Sequence, residues 1–189
     1  MKYILYRILE IRDNKVSKKK MGQQAIMTLC SIALLIALQV VLARWLSISL
    51  WNLRIGFSFV PVIIAARLFG IPGAMAVYGI GDVLGSILFP SGPFFPGYTL
   101  TALIVGLIFG IFLHRKITFP RALISVLLTQ TLCSFLLNSF WISYTNGAPY
   151  AGLLATRWPQ SLGLGVVMFI FIMFILERIC RPVEKLLKR

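Results

Sequence analysis

Charge is scarce in this sequence. Charged residues fill 13% of its 189 positions, where a soluble domain carries about 25%. With 59% hydrophobic residues and a mean hydropathy of +0.90, that shortage excludes an ordinary soluble fold and points to membrane spans. Histidine is scarcer still. His114 stands alone and falls in a short basic connection. A Ser/His/Asp set or a metal cluster is therefore not available elsewhere, which argues against a membrane-embedded hydrolase. No glycine-rich nucleotide loop is present, so no ATPase is expected in this chain. Cys30, Cys133 and Cys180 lie far apart, in or beside apolar segments. They have no zinc spacing and make no disulfide framework, and they read as small core residues.

What the sequence has in plenty is apolar length and basic flanks. A spanning helix needs roughly 20 apolar residues. Six candidates run over about 25–45, 56–69, 72–89, 98–114, 121–144 and 159–179. The second is short and ends at Phe69-Gly70-Ile71-Pro72-Gly73, read as a tight helix–helix turn. The net charge of +14 does not indicate nucleic acid, because the cations flank apolar runs and line no soluble face. With the N-terminus cytoplasmic, all of the 19 basic residues except Arg44, Arg54 and Arg157 fall on the cytoplasmic side, as the positive-inside rule requires. An odd helix count would place the basic tail outside. The expected fold is thus an all-α integral membrane protein of six transmembrane helices with both termini cytoplasmic. Residues 1–24 form a basic N-terminal segment, 25–180 a single membrane domain, and 181–189 a basic tail. The N-terminal segment does not read as a signal peptide. Its Ile4, Leu5, Ile8 and Leu9 suit an amphipathic helix in the headgroups, or a frayed tail.

The two kinds of connection differ. The inner turns are short and basic. The outer ones, "LARWLSISLWNLRIG", "FPSGPFFPGYT" and "SYTNGAPYAGLLATRWPQ", are longer and rich in aromatic, hydroxyl and amide side chains. An aromatic belt explains part of this. It does not explain the Pro-Gly density or the three outer arginines beside the aromatics, which suit a binding surface.

Individual residues allow a functional and a structural reading. Asp82 lies mid-span in "YGIGDVLGS", where a carboxylate costs about 2.5–3.5 kcal/mol. It needs an interhelical partner, or it floors a polar ligand cavity. Asn138 and Trp141, three apart in "NSFW", share a helix face. They suit a flat heterocycle, or else serve as interhelical glue and belt. Arg54 and Arg157 either snorkel to lipid phosphates or fork carboxylates. Arg157 is expected at the start of the last span, where a helix N-terminus favours an anion. Ala33 and Ala37 are spaced for close packing by another helix.

In order along the chain, "ALLIA", "LRIGFSFVPVIIAARLFG", "GDVLGSILFPSGPFFPGYTLTA", "NSFW" and "RWPQ" resemble the substrate-binding S components of energy-coupling factor (ECF) vitamin transporters, and among them the folate-specific members. The resemblance covers about residues 25–180, and "FPSGPFFPGYTLTA" is its most specific part. It implies a multi-pass protein of the bacterial cell membrane that captures a vitamin outside. A separate T component and two cytoplasmic ATPases would supply the energy, and the S component would topple in the membrane to deliver its cargo. Ala33 and Ala37 would then dock the T component. Pro93, Pro96 and Gly97 would stiffen a loop over the site. Phe94, Phe95 and Tyr98 would wall a pterin, with hydroxyls from Thr99 and Thr101. Asn138 and Asp82 would meet its polar edge, and the outer arginines its carboxylates. No cofactor is expected. A different vitamin, such as pantothenate or riboflavin, and a non-transport structural membrane protein stay open as alternatives.

Overall fold

The computed structural model describes residues 2–50, 53–90, 94–114 and 118–176. Pro93, the basic turn at Arg115 and Lys116, Cys180 and the C-terminal tail lie outside the described residues.

Helix α1 (Lys2–Arg44) runs unbroken from the basic segment into the first apolar run. A short antiparallel hairpin follows, β1 (Ser47–Leu50) and β2 (Leu53–Gly56), with Ser49 opposite Arg54. This hairpin is an addition to the helical expectation. Its signal was the alternation Ser47-Ile48-Ser49-Leu50, which has strand period. The remaining elements are α2 (Phe59–Leu88), α3 (Pro96–Leu113), α4 (Phe119–Leu128), a π-helical stretch (Thr129–Leu137), α5 (Asn138–Asn146) and α6 (Tyr150–Ile170), which continues as π-helix over Phe171–Leu176.

Five helical runs among the described residues are long and apolar enough to cross a membrane: Gly22–Arg44, Phe59–Leu88, Pro96–Leu113, Phe119–Asn146 and Tyr150–Met173. The second and third expected spans fall within the single run of α2. They meet at Gly70, whose φ of 70° and ψ of −152° are non-helical. That backbone suits a residue without Cβ, and Pro72 follows in the next turn, where its missing N–H costs least. The last helix begins earlier than the apolar pattern suggested. Gly147, left-handed at φ 67°, caps α5, and Pro149 leads directly into α6. Arg157 therefore sits two turns inside a helix and not at an N-terminus, and the dipole argument for it does not hold.

Hydroxyls within the helices bond back to carbonyls one turn earlier, as Thr28, Ser31, Thr131 and Thr145 do. This satisfies them where water is absent. Neighbouring helices alternate in direction. Gly79 meets Leu103, while Gly106 meets Ala74 and Gly110 meets Ile71, so the second half of α2 is antiparallel to α3. Thr101 meets Trp141, and Phe135 meets Trp158 while Phe119 meets Phe169. At one end of the bundle, Arg67 donates to the His114 carbonyl at 2.7 Å. At the other end lie the hairpin, the Trp45–Phe89 ring pair and the start of α3. The buried core runs between them through Phe59, Val62, Ile63, Val77, Phe109, Leu113 and Ile172.

Candidate binding site

The first turn of α3 is the hub. Pro96 holds Phe95 extended, with φ −130° and ψ 121°, as a residue before proline prefers. The helix then begins with its φ preset at the proline. From this turn, side chains reach toward three neighbouring helices.

Toward α2, the Thr99 hydroxyl donates to Asp82 Oδ2 at 2.8 Å. One carboxylate oxygen is thereby held and the other stays available, so Asp82 has a partner but is not consumed by it. Toward α5, the Trp141 indole N–H donates to the Thr101 hydroxyl at 3.0 Å, and that hydroxyl donates to the Gly97 carbonyl at 3.1 Å. The indole lies so close over the turn that a Cβ at Gly97 would stand 2.7 Å from Trp141 Cδ2. Glycine is what lets the ring approach the backbone here. Phe95 packs against Trp141, Tyr98 and Tyr144, with ring centroids 5.4, 6.0 and 5.7 Å apart. Toward α6, the Tyr98 phenol is within electrostatic reach of the Arg157 guanidinium.

Arg157 is 9% exposed, and its Nη1 makes no hydrogen bond to the described protein. A buried guanidinium with an unused donor is costly, and an anion or carbonyl brought to it relieves that cost. The neighbouring Trp158 packs edge-on against Phe135 at 5.6 Å, which fixes this turn of α6. Ser139, fully buried on α5, also has an unpartnered Oγ.

The structure thus brings together Asp82, Phe95, Tyr98, Thr99, Thr101, Trp141 and Arg157. Asn138 is half-buried one turn before Trp141 on the same helix. Phe94 is 56% exposed and stands outside the aromatic group. Arg54 lies on β2, which packs against α6. Ala33 and Ala37 are both exposed on α1, away from this site. The sequence reading missed Tyr144, although its i+3 spacing from Trp141 was a usable signal. It also missed Ser139, which nothing in the sequence distinguishes from other helix serines.

Residues 27–183 match the family of the ECF transporter, substrate-specific component. The chain belongs to this family. It is 36% identical to the folate transporter FolT of Clostridium novyi (strain NT) over 127 residues, covering 67% of this chain and 74% of that protein. It is 34% identical over 142 residues to the folate transporter FolT of Leuconostoc mesenteroides subsp. mesenteroides, covering 73% and 76%. A crystal structure of FolT bound with folic acid superposes with a TM-score of 0.75 at 28% identity, covering 79% of this chain and 92% of that one. The protein is accordingly a multi-pass membrane component of a transporter family and not an enzyme.

Proposed function

We propose that this S component captures folate at the outer face of the bacterial membrane for ATP-driven uptake. The observation that carries the reading is the pairing of an aromatic group with a buried, unsatisfied guanidinium, Arg157. A ligand suited to both has a flat ring and an anionic or carbonyl group. Folate offers a pterin, and carboxylates on its glutamate end. The two folate transporters and the folic acid complex it resembles support the same ligand.

In this reading Phe95, Tyr98, Trp141 and Tyr144 wall the ring, and Phe94 borders the entrance. Asp82, oriented by Thr99, accepts from the pterin's N–H groups, and Asn138 serves its remaining edge. Thr101 holds the indole in place. Arg157, with Arg54 on the hairpin, serves the carboxylates. The Gly70 break divides α2 into two membrane segments, which makes six. The basic residues then place both termini in the cytoplasm and the site at the outer end. Ala33 and Ala37, on the exposed side of α1, form the docking ridge for a T component, and partner ATPases supply the energy.

Calorimetric titration of the detergent-purified protein tests this directly. Folic acid is expected to bind, with pantothenate and riboflavin silent. Binding of either in place of folic acid redirects the assignment to another vitamin. Silence with all three overturns the folate assignment and redirects it to a vitamin outside this set.

A further inference from the structure

We infer that Gln39, on α1, is a specificity-determining residue that reads the 2-amino group of the pterin. The inference rests on folate being the ligand. Gln39 sits in the middle of an apolar run, yet it is 2% exposed, and its Oε1 has no hydrogen-bond partner. It lies over Gly81, where a Cβ would collide with that oxygen and stand 2.8 Å from the amide carbon. Gly81 therefore makes the space that Gln39 fills. The next residue is Asp82, whose Oδ2 is already held by Thr99.

An amide oxygen shut away from water and from protein donors is a standing cost, relieved by any ligand that brings a donor. The terminal torsion of a glutamine is broad, so a donor arriving beside Asp82 need only rotate the amide of Gln39 to engage Oε1. The 2-amino-4-oxo edge of a pterin presents the ring N3–H and two amino hydrogens. A carboxylate takes N3–H and one amino hydrogen as a fork. The second amino hydrogen then needs a neutral acceptor beside the carboxylate, and Gln39 is the side chain placed to supply it.

The test titrates the full-length protein in detergent with folic acid and with its 2-desamino analogue, in which hydrogen replaces the amino group. The parent is expected to prefer folic acid. Gln39→Met keeps the volume and removes the acceptor. It should weaken folic acid about tenfold while leaving the analogue unchanged, and Gln39→Glu, which keeps an acceptor oxygen, should restore the preference. A Gln39→Met protein with the parent's Tm and the parent's preference overturns the inference. Should that variant melt early, Gln39→Leu removes the same acceptor with a different shape, and an unchanged preference there overturns it equally. If the parent fails to bind folic acid, the proposed function itself has failed. If the parent binds and neither variant moves the preference, only the role of Gln39 is lost.

Discussion

The apolar span of helix α1 is greasier than α2 or α3, yet it is the least buried of the three. Only 17% of the membrane-crossing window of α1 is buried, against 50% for each of α2 and α3. In lipid there is no hydrophobic force to bring helices together, so association depends on close packing and on polar contacts. Between α2 and α3 small residues are already spent on this. A Cβ at Gly106 would stand 2.9 Å from the Ala74 carbonyl oxygen and the Met75 Cα. On α1 the small residues Ala33 and Ala37 face outward, beside exposed Leu34, Leu38 and Val41. The same kind of residue builds the scaffold in one place and lies on the exposed face in the other.

That contrast breaks most sharply at Gly106. Gly106→Leu pushes a side chain into the backbone of α2, which cannot give way as a flexible side chain can. Overpacking of this kind costs about 3 kcal/mol, so the Tm in detergent should fall steeply and folic acid binding should be lost with it. A leucine tolerated there without a change in Tm would mean that α2 and α3 do not pack as described.

A smaller effect is expected inside the site. Trp141→Ala removes an aromatic wall, and loss of such an anchor costs about 2 kcal/mol, or roughly thirtyfold in affinity. Fluorescence or calorimetric titration with folic acid reads this directly. Wild-type affinity in the variant would return Trp141 to the aromatic belt.

Arg157→Ala sharpens the chemistry further. If Arg157 serves the glutamate carboxylates, the variant should bind folic acid about tenfold more weakly and bind a pterin without the glutamate tail as the parent does. Parallel titrations with the two ligands give the ratio. An equal loss with both would place Arg157 at the pterin, and no loss with either would leave it as a buried cation with no part in binding.

The smallest effect on the isolated protein, and the most telling for the comparison, belongs to α1. Ala33→Trp and Ala37→Trp should leave Tm and folic acid affinity within about 0.5 kcal/mol, because neither residue packs inside the fold. Uptake by cells that also express the partner subunits should nevertheless fail, since the indole blocks close helix approach. Loss of binding along with uptake would mean that the alanines support the fold.

Much of this was legible in the residues. "FPSGPFFPGYTLTA" stands out as a candidate because prolines, aromatics and hydroxyls together have no use in a plain lipid-facing turn. Trp141 was found by its spacing from Asn138, and Asp82 by the cost of a carboxylate at that depth. Arg157 reads from the sequence as the start of a helix, because the stretch from Ala148 to Gln160 dilutes the apolar pattern and Pro159 mimics a boundary. The structure carries the helix through that proline. Gln39 was passed over, since a single amide in a long apolar run changes no window average.

By itself the sequence determined the solvent and the outline. Apolar length sets which segments cross the bilayer, and the basic flanks are spaced for one orientation, because both depend only on the summed transfer cost of each segment. What the tertiary structure alone decided is which polar side chains share a space. Asp82 is 17 residues from Thr99, and Thr101 is 40 from Trp141. Those meetings depend on how closely a ring approaches at Gly97 and a backbone at Gly106, and packing of that kind is a property of pairs of helices that no single segment encodes.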